Sequence, residues 1–221
     1  MLSSHSSSTR VSQIWSTMHL KLDFPRSKDS YVAHNFRYSN IYGVFNFAKA
    51  VDTVANCTER VVLITAPPGM GKSRASEEIY TQLVLRGQFV IYVKISQIIS
   101  FWTKCEDNPS VRDFLEECIG EDKFRLCPEE KKMIVVMDGF DEVCPNFRSN
   151  VLALIKELLV KGTKVLITSR PQEEDQIIKG LQQVVRGILD FEIRPFSFNQ
   201  SVLMLQTRLN LGEARLANMF Y

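Results

Sequence analysis

The sequence predicts an α/β protein built on a doubly wound parallel sheet with a five-stranded core, and three observations carry that prediction. Short β-branched runs alternate with longer segments of helical period. The runs are apolar almost throughout and not at every second residue, which is how strands covered on both faces read. The first of them, "RVVLIT", leads straight into "APPGMGKS", a tight glycine turn that opens a helix.

Taken in order, residues 1–40 read as irregular: a serine-rich start "MLSSHSSSTRVSQ", then "DFPRSKDSY", then the first residues of an aromatic-rich "FRYSNIYGVF". Val44, Phe47, Ala48, Val51 and Val54 recur at helical spacing and predict an amphipathic helix over 44–55. Strands are expected at 60–65, 88–95, 132–138, 164–169 and 187–193. Helices are expected at 72–86, 110–119, 147–161 and 173–182, with another at 198–209 after the last strand. The organisation this implies is an irregular segment at 1–30, a core domain at 31–195 and a short helical extension at 196–221.

Composition bounds the rest. The 221 residues are 45% apolar and 24% charged, the balance of an ordinary folded chain with room for one sizeable domain. A net charge of +2 is too small and too evenly spread for the basic stripe of a nucleic-acid surface. No run is long enough to span a bilayer, and the start lacks the apolar core of a signal peptide. Neither a nucleic-acid nor a membrane partner is therefore expected. Cys57, Cys105, Cys118, Cys127 and Cys144 are odd in number and form no C-x-x-C pair, so neither a disulfide framework nor a zinc site is signalled. Scattered thiols fit a reducing, cytoplasmic setting.

The turn after the first strand carries chemistry. Ala66, Pro67, Pro68, Gly69, Met70, Gly71, Lys72 and Ser73 follow the pattern G-x-x-x-x-G-K-[ST], with alanine at its first position. Small residues there let successive backbone N–H groups turn inward as a nest for phosphate oxygens at the positive end of a helix. Lys72 is expected to meet the β- and γ-phosphates, and Ser73 to offer its hydroxyl to Mg²⁺.

A second constellation, "KMIVVMDGFDEV", delivers Asp138 at the carboxyl end of a strand, the edge where ligands sit in open α/β sheets. Asp138 is the expected Mg²⁺ carboxylate, with Gly139 keeping the space beside the metal open. Asp141 and Glu142 are candidates for polarising a water that attacks the γ-phosphate. The strand "KVLITSRPQ" then ends in Arg170, an arginine placed to sense that phosphate or, as the plainer alternative, to pair with a surface acid.

The combination of "APPGMGKS", "VVMDGFDEV", "VLITSRP" and "FEIRPFSFNQ" resembles the NACHT group of STAND P-loop NTPases over roughly residues 30–210. The resemblance implies a signalling switch of innate immunity and cell death, in which ADP holds a closed state and ATP supports one that self-associates. It implies Lys72 and Ser73 on phosphate and Mg²⁺, Asp138 on Mg²⁺, Asp141 or Glu142 assisting slow hydrolysis, and Arg170 reading the γ-phosphate. It also implies the sheet order 5-1-4-3-2, counting the phosphate-loop strand as first. The segment from Arg194 onward looks like the start of the helical domain that follows the NTPase core, and the chain is expected to be a truncated or minimal form. Adenine contacts are expected from the segment Tyr31–Phe36. The alternatives are an AAA+-like or other P-loop ATPase, and a nucleotide-holding scaffold without turnover.

Overall fold

The computed structural model describes residues 32–38, 44–104, 109–125 and 133–209. The serine-rich start, Tyr31, Cys105, Cys127 and the extension beyond residue 209 lie outside them. Strands β1 (Asn35–Tyr38) and β2 (Val44–Asn46) precede helix α1 (Phe47–Asn56). Then follow β3 (Val61–Thr65), α2 (Lys72–Leu85), β4 (Phe89–Lys94), α3 (Ile99–Lys104), α4 (Val111–Ile119), α5 (Glu121–Phe124) and β5 (Met133–Asp138). The described chain closes with α6 (Arg148–Val160), β6 (Lys164–Ser169), α7 (Glu174–Leu181), β7 (Ile188–Ile193) and α8 (Phe198–Leu209).

One sheet runs in the order β2-β1-β7-β3-β6-β5-β4. From β7 to β4 every neighbouring pair is parallel. Counted from the strand before the glycine turn, these five stand as 5-1-4-3-2, the order that the family resemblance implied. All five residues of β3 and all six of β5 are buried, because successive side chains point to opposite faces and both faces are covered. Leu63, Val135, Met137 and Ile167 pack with Trp102, Phe114, Leu158 and Ile177 on one side. Val62, Ile64, Val136 and Leu166 pack with Val51, Val54, Ile79 and Leu83 on the other. This two-sided burial is why the strands read as continuous apolar runs.

The sheet is wider than the five parallel strands expected. Antiparallel β1 extends it from β7, and β2 pairs with β1 in turn. The irregular reading of residues up to 40 and the helix start at Val44 are corrected accordingly: Val44–Asn46 is a strand, and the helix begins at Phe47. Strands of four and three residues hold too few positions for a period to register, and β2 leads into α1 without a loop. Asn46 marks the boundary chemically, its side chain accepting the Lys49 N–H at 3.0 Å as an N-cap. The short helices α3 and α5 escaped the periodicity for the same reason of length.

Aromatic rings fasten the hairpin to the parallel core. Phe36 is fully buried, with ring centroids 6.0 Å from Phe45 and 6.2 Å from both Phe47 and Phe191. Phe36→Ala is expected to cost about 3–5 kcal/mol, as truncation of buried Phe does, measured as a fall in the urea midpoint. A loss under about 1 kcal/mol, the level of ordinary substitutions, would show that the hairpin lies outside the cooperative core.

Candidate functional site

The carboxyl ends of β3, β5 and β6 converge on one edge of the sheet, and each delivers part of the site. At the end of β3 the chain enters the turn Ala66–Ser73. Ala66 is buried, and its N–H donates to the Ser169 carbonyl at 3.3 Å, tying the turn to the end of β6. Gly69 and Gly71 take φ of 77° and 79°. Gly71 caps α2 with left-handed backbone and no side-chain cap bond, so the positive end of a 14-residue helix is turned to this loop without a side-chain oxygen over it. The Lys72 ammonium donates to the Ala66 carbonyl at 3.2 Å, across the turn it closes. These are the features a phosphate group fits.

At the end of β5, Asp138 is only 4% exposed. Gly139 N–H donates to Thr168 Oγ1 at 2.8 Å, and the Thr168 hydroxyl in turn donates to Asp138 Oδ1 at 2.6 Å. Ser76, one turn into α2 from Ser73, places its Oγ 3.2 Å from the same Oδ1, 3.2 Å from the Tyr92 hydroxyl and 2.9 Å from the Ser73 carbonyl. Burial first, then the charge of Asp138, pushes the Tyr92 phenol far up, so that hydroxyl keeps its proton and donates. Three hydroxyls from α2, β4 and β6 thus orient one carboxylate beside Ser73. Among the described residues no group of three or more His, Cys, Asp or Glu could cage a metal. Mg²⁺ needs none, being held by one or two protein oxygens, phosphates and water. A Ser73 hydroxyl and an Asp138 carboxylate are the right donors for it.

The two remaining acids part company. Asp141 has a side chain only 4% exposed, with Oδ2 2.8 Å from Arg170 Nε. Its Oδ1 is buried without a hydrogen-bond partner. Glu142 is exposed and accepts from Ser96 Oγ at 3.1 Å. It folds back over Gly139, whose φ is 85° and where a Cβ would lie 3.1 Å from Glu142 Cδ. Arg148 braces this corner. Its guanidinium bonds Glu173 at 2.7 Å, reaches the Asp141 carbonyl at 3.5 Å and lies 5.9 Å from the Phe140 ring centroid.

A histidine that spacing did not single out meets the turn from outside. His34 is 4% exposed, its ring hydrogen-bonds to the backbone of Met70, and a Cβ on Gly71 would come within 2.8 Å of its Nε2. Burial, which favours a neutral ring, holds its pKa below the ordinary value against the Met70 bond, which raises it. Its centroid is 4.7 Å from that of Phe196. Gln200 of α8 donates to the Ala33 carbonyl at 2.6 Å and accepts from Ser197 N–H at 2.9 Å. The segment before β1 and the start of α8 are therefore fastened together beside the glycine turn. An open cleft of about 930 Å³ at the opposite edge, lined by Arg60, Gln182 and Arg186 among others, holds no comparable convergence, since Arg60 is engaged by the Leu159 carbonyl.

The family model of the NACHT domain matches residues 60–210. No curated protein matches the chain. Solved structures similar to it include AMPPCP-bound DnaA from Aquifex aeolicus, at 13% identity and TM-score 0.44 over 78% of this chain and 53% of that one. PCH-2 of C. elegans is similar at 15% identity and TM-score 0.45, over 78% and 46%. A DNA replication initiation factor is similar at 15% and 0.49, over 79% and 53%. The chain spans about half the length of each of these structures.

Thr168→Val keeps the shape of the side chain, strands the Gly139 N–H and leaves Asp138 Oδ1 with Ser76 as its remaining hydroxyl partner. Chemical denaturation should show a loss of about 1–3 kcal/mol for the group so stranded, with Thr168→Ser restoring most of it; an unchanged midpoint would contradict the hydroxyl network. A separate expectation concerns Glu174, pushed up from 4.5 to about 7 by burial and then by Asp190, which also hydrogen-bonds it. A raised native pKa means that the folded chain binds the proton more tightly, so this contribution is complete below about pH 4.5 and is lost as pH climbs through about 7. In thermal melts across that window, Glu174→Gln should flatten the decline in Tm, and a parallel decline would show that Glu174 does not cause it.

Proposed function

The chain belongs to the NACHT family, and from that premise we propose that it is a nucleotide-controlled signalling switch that binds ATP and ADP with Mg²⁺ and hydrolyses ATP slowly. The observation that carries the reading is the 3.2 Å contact of Ser76 Oγ with Asp138 Oδ1. It joins the first turns of α2 to the acidic end of β5, so the glycine turn and the strand-end carboxylate belong to one site.

In this reading the N–H groups of Gly69–Ser73 and the Lys72 ammonium receive phosphate oxygens. Ser73 and Asp138 would hold Mg²⁺, which would supply positive charge to offset that of the phosphates. Glu142, exposed and tethered by a single serine hydroxyl, is free to turn toward a water and is the preferred base, with Asp141 its rival. Arg170 leaves the sheet beside Ala66, through the bond of Ala66 N–H to the Ser169 carbonyl, and serves the γ-phosphate from there. His34 and Phe196 close the side of the turn where the base and sugar leave it.

A cytoplasmic setting, self-association through this domain and a role in innate-immune signalling belong to the same proposal. It also takes residues 196–221 as the beginning of a helical domain. The free thiols of Cys57, Cys118 and Cys144 support the cytoplasmic setting.

Lys72→Ala is expected to abolish binding of labelled ATP, because the nest loses its one positive side chain. Glu142→Gln should keep ATP affinity within a few-fold while turnover drops by about 10²–10⁴. Asp138→Asn should weaken Mg²⁺-dependent binding itself. Tight binding by Lys72→Ala would defeat the phosphate-loop assignment. Turnover unaffected in both Glu142→Gln and Asp141→Asn would assign those acids no part in hydrolysis.

A further inference from the structure

The contact between Asp141 and Arg170 joins the acid that the nucleotide reading holds as the rival base to the arginine that it places on the γ-phosphate. The acid is buried and the arginine is half exposed, at 49%, with Nε 2.8 Å from Oδ2. Asp141 has no second bond to lean on, since its Oδ1 is buried and unpartnered. The backbone on both sides is held fast by Arg148, which bonds the Asp141 carbonyl and the Glu173 carboxylate of the turn that follows Arg170. Any exchange of partners is therefore a rotation of the Arg170 side chain and not a movement of the two turns.

We propose that Asp141 is a specificity-determining residue, its carboxylate standing in for the γ-phosphate on Arg170 and so reducing the preference for ATP over ADP. The inference rests on the nucleotide reading above. ADP has no γ-phosphate and leaves the pair intact. ATP must draw Arg170 away, which strands a buried carboxylate with neither oxygen paired, a state that folded proteins tolerate poorly. The advantage that ATP gains from Arg170 is reduced by that penalty, and the site is biased toward the diphosphate. A ligand moves a two-state element only by its difference in affinity for the two states, and here the γ-phosphate is that difference.

The test uses the full chain in Mg²⁺ and compares the affinities of ADP and a non-hydrolysable ATP analogue by calorimetry. Asp141→Asn should leave ADP affinity in place and raise the ratio of analogue to ADP affinity about fivefold or more, the range of ordinary site coupling. In an Arg170→Ala background the same substitution should leave the ratio where Arg170→Ala alone puts it. Asp141→Ser is measured beside Asp141→Asn, so that a folding failure in one leaves the other to decide. A ratio unmoved by either Asp141 variant, or moved equally with and without Arg170, overturns the proposal. If the parent chain binds ADP while the ratio stays put, only this inference falls; if the parent chain binds neither nucleotide, the phosphate-loop reading falls with it.

Discussion

Asp138 is a carboxylate buried to 4% exposure at the end of a central strand, and a charge taken out of water must be met by donors or by a cation. Much of the molecule is arranged around that requirement. Thr168 comes from β6, Ser76 from α2 and Tyr92 from β4, so three elements that are remote in sequence are brought together at one carboxylate. Their meeting fixes the distance between the glycine turn and the acidic strand end, and with it the space where a phosphate-bound metal would sit.

The two-sided core makes this possible. A parallel sheet packed on both faces sends every strand end to a single edge, and the loops there are free of packing duties that the strands already meet. The parallel order 5-1-4-3-2 sets β3 and β5 on either side of β6. The turn from β3, the acids from β5 and the arginine from β6 therefore lie in neighbouring positions. The antiparallel hairpin at the β7 side adds a wall to this frame, and the segment leading into it brings His34 against Gly71.

How much of this could be read from the chain follows from which constraints are local. β3, β5 and β6 were legible because two-sided burial confines the polar residues of "RVVLIT", "KMIVVMD" and "KVLITS" to their ends. The glycine turn was legible because left-handed backbone at Gly69 and Gly71 admits few other residues. Asp138 stood out as a charge terminating an apolar run. The hydroxyl network did not, because a tyrosine in "FVIYVK" reads as one more strand residue until the sheet sets its hydroxyl beside Ser76, 16 positions away in sequence. Nor did the pairing of Asp141 with Arg170 or the approach of His34 to Gly71, since both are contacts between segments whose own patterns are satisfied without them. Hairpin strands of four and three residues fell below the length at which alternation can be told from chance.

In the proposed function the glycine turn and Asp138 form a single metal-assisted nucleotide site. The measurement that addresses it most directly is calorimetric titration of the full chain with ADP in Mg²⁺ and again in EDTA. One site per chain, with affinity that falls when the metal is withdrawn, is the predicted result. No binding in either buffer, or binding indifferent to Mg²⁺, would contradict it.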